Sequence, residues 1–195
     1  MNIEKPPRSI AGWGGDFLET TMNNFDLEKT LSTMVCLIDT RERETKEAEK
    51  RYQALGIPYR RQKLFAGDYS AAFTLPAGEE FSMEYLCCIE RKYDLTEACM
   101  CFTSERKRFI REFERAKENG IKMYMLIENG SFEKAYNGQY RSRMHPNALI
   151  ANLTAWMARY NAHIIFCRAE TFPKLCREIL YREAKEILSN LEVEE

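Results

Sequence analysis

The most constraining feature of the sequence is an apolar run, Tyr85 to Ile89, that is followed at once by Glu90, Arg91 and Lys92. A short run of aliphatic and aromatic residues bounded by charge is typical of a buried β-strand. Because side chains alternate along a strand, Glu90 and Lys92 should lie on one side and Arg91 on the other. The sequence therefore predicts a carboxylate and an ammonium side by side at the end of a buried strand.

An acid two residues before a lysine is common in this chain, of which 30% is Asp, Glu, Lys or Arg. The same spacing precedes Lys46, Lys107 and Lys185, but those lysines lie in stretches with the pattern of polar helix faces. Only Glu90 and Lys92 end an apolar strand. A carboxylate at that position suits a divalent metal ion, and a neighbouring lysine suits orienting or activating a water or neutralising a phosphate.

Acids also occur at the ends of two other predicted strands. MVCLIDTRE predicts a buried strand that ends in Asp39 and is followed by Arg41 and Glu42. KLFAGDYSAAF places Gly67 and Asp68 at a turn between two apolar runs. A lone acid at such a place usually caps a helix or forms a turn, whereas three strand ends with acids favour a cluster.

In this order, the three segments resemble the nuclease domain of the XPF-type structure-specific endonucleases, which belongs to the PD-(D/E)XK nuclease superfamily. The family pattern is a glycine and an aspartate, a spacer, then Glu-Arg-Lys, three variable residues and a final aspartate. The Gly-Asp pair ending at Asp68 and the triplet beginning at Glu90 match this pattern, whereas the final aspartate falls on Thr96. The resemblance covers roughly residues 34 to 188 and includes stand-alone phage and bacterial members of the group.

The resemblance implies a Mg²⁺-dependent endodeoxyribonuclease that hydrolyses phosphodiester bonds in branched or flap-like DNA, with Mn²⁺ able to replace Mg²⁺. The implied catalytic residues are Asp68, Glu90 and Lys92. The implied metal ligands are Asp68 and Glu90 with the carbonyl of Arg91, and Asp39 through a second ion or a bridging water. The residues expected to support this cluster are Arg41, Glu42 and Arg91.

Two other interpretations stay open. Thr96 at the position of the family's acid is compatible with a catalytically inactive DNA-binding module of the same fold. The formal net charge of −1 lacks the basic signature of a nucleic-acid binder, which favours an interaction protein with no nucleic-acid role. If DNA is the partner, its contacts have to come from local basic patches.

One such patch lies on a predicted helix after the central strand. Its apolar residues recur at helical spacing, and its outer surface carries Arg106, Lys107 and Arg108 among several acids that include Glu112. A mixture of this kind is usual on a solvated helix face, yet the excess of base near Arg106 could also contact DNA phosphates.

A second patch lies in a loop that carries Arg141 and Arg143, ahead of a helix beginning near Pro146. Arginines before a helix N-terminus suit an anionic ligand such as phosphate, and they are equally compatible with a normal charged loop. Tyr136 and Tyr140 of this loop could stack on an unpaired base or pack the loop itself.

Length and element order predict the fold class. A chain of 195 residues with 45% apolar residues fits one domain with its own core. Because strand and helix patterns alternate, we expect an α/β domain with a mixed central sheet flanked by helices, which by resemblance is restriction-endonuclease-like. We assign residues 1–33 to a partly flexible N-terminal extension and residues 34–195 to the nuclease domain.

The seven cysteines form no C-x-x-C pair and are accompanied by only two histidines, so a zinc site is not expected. Free thiols in apolar runs predict a reducing cytoplasm. The resemblance to stand-alone phage and bacterial members implies a bacterial or phage-encoded protein. No signal peptide, transmembrane run or lipidation motif is recognisable, so no membrane association is expected. Apolar surface on the last two helices could serve a homodimer.

Overall fold

The protein is represented by a computed structural model, and the structure describes residues 22–190. Within that part of the chain there are seven strands and seven helices. The strands are β1 (Val35–Asp39), β2 (Tyr59–Gln62), β3 (Tyr69–Thr74), β4 (Glu80–Ser82), β5 (Cys87–Lys92), β6 (Lys122–Glu128) and β7 (His163–Cys167). The helices are α1 (Asn24–Ser32), α2 (Lys46–Gln53), α3 (Leu95–Phe102), α4 (Arg106–Glu118), α5 (Phe132–Tyr136), α6 (Pro146–Tyr160) and α7 (Phe172–Ser189).

All seven strands join one mixed sheet with the order β2-β1-β3-β5-β6-β7, in which β4 pairs with β3 beside this path. β3 runs antiparallel to both of its neighbours, β1 and β5. The pairs β1–β2, β5–β6 and β6–β7 are parallel, as expected where helices form the crossovers. The predicted fold class, a single α/β domain with a mixed central sheet flanked by helices, is confirmed.

Alternation along the strands sorts the core onto the two faces of the sheet. In β5, Cys87 and Ile89 pack in the core that includes α1, α2 and α7, whereas Cys88 packs in the core beneath α3, α4 and α6. The second core contains Phe113 and Trp156, whose ring centroids lie 4.5 Å apart. Since burying a large apolar side chain contributes about 1.5–3 kcal/mol, these contacts hold α4 firmly against the sheet.

The described part of the N-terminal extension is a helix that packs on the domain. Asn23 caps α1 by accepting a hydrogen bond from the backbone N–H of Asp26. Leu27 and Leu31 enter the same core as α7. Residues 1–21 lie outside the described residues, so the assignment of residues 1–33 as an extension stays a prediction.

Two elements differ from the sequence-based expectation. Tyr85 belongs to a turn, and β5 begins only at Cys87. In this turn Met83 O accepts hydrogen bonds from the N–H groups of Leu86 and Cys87. The strand then runs through Lys92, because its ladder with β6 continues to the pair Lys92 and Ile127. Lys92 is therefore the last residue of β5 and Glu90 lies two residues before it, at the end of the strand as the sequence predicts.

The helical segment after β5 is divided in two. Asp94 caps the start of α3. The helix ends at Phe102, because the backbone of the next residue, Thr103, leaves helical geometry. α4 starts afresh after Glu105, and the loop before Pro146 contains the short helix α5, capped by Ser131. Among residues 22–190, no helix combines the length and the apolar character that crossing a bilayer requires.

Candidate active site

Three strands bring the predicted acids to one face of the sheet. Lys92 and Glu90 continue the face of Cys88, which is the side covered by α4. Tyr69 of β3 lies in the opposite core, so the preceding Asp68 points to the α4 side. Ile38 of β1 also lies in the opposite core, so the next residue, Asp39, points to the α4 side as well.

Gly67 and Asp68 form the link between β1 and β5. Gly67 has a φ of +69°, and a Cβ at this position would meet Ile89 O at 3.0 Å, so only glycine fits without strain. The Asp68 N–H donates to Ile89 O at 2.8 Å, and Asp68 O accepts from the Asp39 N–H at 2.8 Å. The Gly-Asp turn thus fixes Asp68 between two strands that both carry acids.

The Asp68 carboxylate reaches the backbone of β5. Its Oδ2 accepts a hydrogen bond from the Arg91 N–H at 2.8 Å. Burial, and next the charge of Glu90, raise the pKa of Asp68 well above its usual range, although Lys92 opposes this shift. Asp68 and Glu90 therefore share one electrostatic environment, as a joint cation site requires.

Glu90 and Lys92 form a buried ion pair. Lys92 Nζ lies 2.5 Å from Glu90 Oε1, and the two residues are only 5% and 3% exposed. Burial raises the pKa of Glu90 despite this partner. For Lys92, burial would lower the pKa, but Glu90 and Asp68 outweigh it and raise the pKa above its usual range. Lys92 Nζ also lies 4.5 Å from the ring centroid of Phe109, so the ammonium is held between a carboxylate and an aromatic face.

Both carboxylate oxygens of Asp39 accept hydrogen bonds from neighbouring groups. Its Oδ1 accepts from Arg41 N at 2.6 Å and from Arg41 Nε at 2.7 Å, and its Oδ2 accepts from Leu64 N at 2.7 Å. Burial would raise the pKa of Asp39, but these hydrogen bonds lower it. The carboxylate lies on the correct face, yet its hydrogen bonds tie it to Arg41 and to the chain after β2.

Glu42 lies beside this group and bonds to other residues. Its Oε1 accepts from Tyr69 Oη at 3.2 Å and from Arg51 Nη2 at 3.4 Å, and Arg51 Nε also donates to Tyr69 Oη. The Glu42 N–H donates to Asp39 O, which closes the turn after β1. Glu42 thus joins the end of β1 to α2, and its supporting role stays a prediction.

Arg91 points to the opposite face, as alternation predicts. Its guanidinium forms two hydrogen bonds with Glu128, at 2.7 and 2.9 Å, and lies 5.5 Å from the ring centroid of Phe172. Burial opposes the charge of Arg91, but Glu128 raises its pKa. The side chain ties β5 to β6, and only its backbone faces Asp68.

Glu112 of α4 is a site residue that the sequence pattern assigned to the outer helix surface. It is 5% exposed, and its Oε1 accepts a hydrogen bond from the Gly67 N–H at 3.1 Å. Arg41 Nη2 lies 3.9 Å from the same oxygen, and Arg108 Nη1 lies 3.9 Å from Oε2. Since Glu112 lies three residues after the buried Phe109, helical spacing alone could have placed it on the inner face.

The predicted DNA-binding residues on α4 fall into two groups. Arg108 pairs with Glu105 and approaches Glu112, while its guanidinium lies 4.5 Å from the ring centroid of Phe109. Arg108 therefore belongs to the border of the site. Arg106 and Lys107 are exposed, and Arg106 donates to Asn152 of α6 at 3.0 Å.

Arg141 and Arg143 are exposed in the loop before α6, as predicted. The backbone N–H of Arg141 donates to Thr96 Oγ1 at 3.1 Å, so this loop contacts the segment that follows β5. Tyr140 is half-buried and donates to Met144 O at 2.9 Å. One of the two predicted patches is therefore attached to the first turn of α3, the helix that follows β5.

Comparison with known proteins agrees with this geometry. The model of the ERCC4 domain family matches residues 38–175. The chain belongs to this family. The matched part of this ERCC4 domain contains Asp39, Asp68, Glu90 and Lys92. Among curated protein sequences, none matches the chain.

Two similar solved structures show the same fold. One is XPF from Aeropyrum pernix, with a TM-score of 0.53 and 20% identity, covering 76% of this chain and 60% of that chain. The other is XPF from Aeropyrum pernix in complex with DNA, with a TM-score of 0.53 and 19% identity, covering 78% of this chain and 66% of that chain. The ERCC4 domain described here thus spans less than two thirds of either XPF chain.

The side chains of the site fit a divalent cation. Within residues 22–190, no three or more His, Cys, Asp and Glu side chains gather in an arrangement that could hold a metal ion by themselves. Mg²⁺, however, is commonly held by one or two carboxylates, with waters and substrate phosphate oxygens completing its coordination. Asp68 supplies a carboxylate that forms no ion pair with a described residue, and Glu90 supplies another whose charge is only partly balanced by Lys92. Two such carboxylates favour a cation between them.

Proposed function

We propose that this ERCC4 domain is a metal-dependent DNA endonuclease that hydrolyses phosphodiester bonds, with branched or flap-like DNA as its substrate. The observation that carries the proposal is the common placement of Asp68, Glu90 and Lys92 on the α4 face of the sheet. Family membership supports nuclease activity, and the similarity to an XPF structure in complex with DNA supports DNA as the partner.

Asp68 and Glu90, together with the carbonyl of Arg91, are the groups that would hold Mg²⁺ or Mn²⁺. When bound, such an ion supplies a Lewis acid that polarises the scissile phosphate and lowers the pKa of a water. Asp39 would act from the next layer, because both of its oxygens already accept hydrogen bonds. Arg41 and Glu42 would keep that layer in place.

Lys92 contributes a fixed positive charge to the reaction. Because its pKa is raised above the usual range, the side chain is an ammonium and donates hydrogen bonds rather than accepting a proton. Held against Glu90 and the Phe109 ring, it has little freedom to turn away. Its role is to orient the attacking water and to stabilise the charge that develops on the phosphate oxygens.

DNA phosphates would be contacted from both sides of the site. Arg106, Lys107 and Arg108 extend from the first turn of α4, and Arg141 and Arg143 extend from the loop before α6. Each exposed cation of this kind contributes a modest, salt-dependent increment to affinity. Association of two copies through α6 and α7 stays a prediction, as does a bacterial or phage cytoplasm as the place of action.

A second candidate is a DNA-binding domain without catalysis. Thr96 favours it, because the resembled pattern has an acid at this position and a hydroxyl cannot replace a carboxylate as a metal ligand of equal charge. Its hydroxyl instead accepts the Arg141 N–H. The two candidates agree on DNA as partner and differ only in cleavage.

A cleavage assay separates them. Labelled single-stranded, duplex, flap, fork and four-way DNA are incubated with the purified protein in EDTA, in Mg²⁺ and in Mn²⁺. We expect cleavage only with added metal, greatest on a branched substrate, and abolished by Glu90→Gln and by Lys92→Ala. Glu178→Gln, an exposed change on the far face of α7, is the matched control and should cut normally.

Binding of the same DNA panel without cleavage under any metal condition would select the non-catalytic candidate. Cleavage that survives Glu90→Gln and Lys92→Ala would place the reaction elsewhere or in a contaminant.

A further inference from the structure

We propose that a cleft beside the end of β5 binds one unpaired nucleotide of the DNA substrate, next to the candidate catalytic residues. This inference rests on the proposed nuclease function and deepens it by assigning a site for the single-stranded part of a branch. The residues that line the cleft and carry the argument are Tyr93, Thr96, Asn129, Lys134, Tyr140 and Arg141.

The walls of the cleft begin where the strands beside the candidate active site end. Its first wall is the segment Tyr93 to Thr96, which begins at the residue directly after Lys92. Its second wall begins at Asn129, directly after the last residue of β6, the parallel neighbour of β5. Both walls therefore start at the carboxyl ends of β5 and β6, the end of the sheet at which Lys92 lies.

Hydrogen bonds hold the two walls together. The Arg141 N–H donates to Thr96 Oγ1 at 3.1 Å, and Asn129 Nδ2 lies 3.5 Å from Tyr93 O. The Tyr93 N–H donates to Glu97 Oε2 at 2.6 Å, which fixes the start of the first wall. The cleft is thus a formed feature of the fold rather than a gap between two independent loops.

The charge of the cleft favours an anion. Lys134 and Arg141 are exposed cations, and within residues 22–190 the Arg141 guanidinium forms no ion pair or hydrogen bond. The one acid that lines the cleft, Asp94, already accepts from the Glu97 N–H as the cap of α3. Thr96 is neutral at the place where the resembled pattern has an acid, so this wall carries no second carboxylate that would repel phosphate.

Aromatic groups favour a base over a bare phosphate. Tyr93 is 59% exposed, and within residues 22–190 its ring is absent from every close aromatic or cation pair. Tyr140 is held by the hydrogen bond from its hydroxyl to Met144 O and presents a second ring to the cleft. Bases stack on such rings without regard to sequence, whereas bases in a duplex are already stacked on each other. The combination of cations and free aromatic surface therefore fits an unpaired nucleotide.

The test compares single-stranded with duplex binding. Fluorescein-labelled oligothymidylate and a blunt duplex of equal length are titrated with the full chain in EDTA, and anisotropy is followed at fixed salt. We expect Tyr93→Ala and Arg141→Ala each to weaken oligothymidylate binding roughly tenfold while changing duplex binding less than about twofold. Tyr93→Phe should bind like the wild type, because it keeps the ring.

Two further variants test the location and the charge of the cleft. Tyr136 is also 59% exposed but does not line the cleft, so Tyr136→Ala is the matched control and should leave oligothymidylate binding unchanged. Thr96→Asp adds a negative charge to the first wall and should weaken oligothymidylate binding more than duplex binding.

The inference is overturned if Tyr93→Ala leaves oligothymidylate binding unchanged, if it weakens both ligands equally, or if Tyr136→Ala has the same effect. Cleavage of flap DNA in Mg²⁺ is measured separately on each variant. If the wild type cleaves flap DNA but Tyr93→Ala and Arg141→Ala do not weaken oligothymidylate binding selectively, the cleft alone is contradicted. If these variants weaken oligothymidylate binding selectively but the wild type cleaves no DNA, the nuclease proposal alone is contradicted.

Discussion

β5 carries an ion pair on each of its faces, and the two pairs differ in what surrounds them. On the α7 face, Arg91 and Glu128 share two hydrogen bonds and lie against Phe172. On the α4 face, Glu90 and Lys92 share one contact, and Asp68 and Glu112 add two further carboxylates nearby. In the Arg91–Glu128 pair, one cation balances one carboxylate. On the α4 face, Lys92 lies among three carboxylates, those of Glu90, Asp68 and Glu112.

This difference separates a structural pair from a functional one. A buried pair with all of its hydrogen bonds made fixes the register of two strands and needs nothing else. A buried group of acids with raised pKa values is destabilising unless a cation or a proton joins it, and such groups concentrate at functional sites. The same chemical change should therefore have different effects on the two faces of β5.

The largest expected effect is on cleavage. Glu90→Gln removes a charge from the α4 face with little change in shape, and we expect it to reduce the rate roughly 100- to 10,000-fold. Glu128→Gln makes the same chemical change on the α7 face and should keep most of the activity. Single-turnover cleavage of a flap substrate at saturating protein measures both, and equal losses would remove the distinction between the faces.

The next effect is on stability, and it runs in the opposite order. Glu128→Ala leaves the half-buried Arg91 guanidinium without its carboxylate, so we expect unfolding free energy to fall by about 3 kcal/mol. In Glu90→Gln, Lys92 still has the nearby Asp68 carboxylate, whose charge already raises the Lys92 pKa. The unfolding free energy should therefore fall much less than in Glu128→Ala. Urea denaturation in EDTA provides the comparison, and a larger loss in Glu90→Gln would contradict it.

Glu112 should affect catalysis without touching the substrate. Glu112→Ala leaves the Gly67 N–H without an acceptor and frees Arg41, so the turn that carries Asp68 loses its support. We expect a roughly 10- to 100-fold loss of cleavage, as for other groups that orient metal ligands. Glu112→Gln keeps an acceptor for Gly67 and should recover part of the loss. A rise in the metal concentration needed for half-maximal activity would distinguish this positioning role from simple destabilisation.

The smallest predicted effect concerns pH and Asp68. Since the folded protein raises the pKa of this carboxyl, it keeps the proton at pH values where the unfolded chain has lost it. Stability of the metal-free protein should therefore fall as pH rises above about 4, and Asp68→Asn should remove that contribution. Relative to wild type, the variant should gain roughly 1 kcal/mol or more between pH 4 and pH 7 in EDTA. If the stability of Asp68→Asn relative to wild type fell as pH rises, the prediction would be contradicted.

The parts of this site that sequence reasoning predicted depend on local rules. The period of a strand places Glu90 and Lys92 together and Arg91 apart, whatever the rest of the fold does. The Gly-Asp pair marks a turn because only glycine accepts the backbone geometry that Gly67 adopts. For this reason the central pair and the turn that carries Asp68 could be predicted.

The parts that were not predicted depend on contacts between distant segments. Glu112 is recognisable as a site residue only once α4 is placed over Gly67, 45 residues earlier in the chain. Glu128 becomes the partner of Arg91 through the parallel pairing of β5 with β6, which local sequence does not specify. The start of β5 was also missed, because Tyr85 is apolar enough to look like strand but lies in a turn.

The central claim, that Asp68 and Glu90 share a cation, is tested most directly by metal binding without DNA. Metal-free protein is titrated with Mn²⁺, and the electron paramagnetic resonance signal of the free ion reports how much is bound. We expect the wild type to bind Mn²⁺ saturably and Glu128→Gln to bind it equally well. Asp68→Asn and Glu90→Gln should each weaken Mn²⁺ binding by roughly tenfold or more. Equal binding by all four proteins would contradict it.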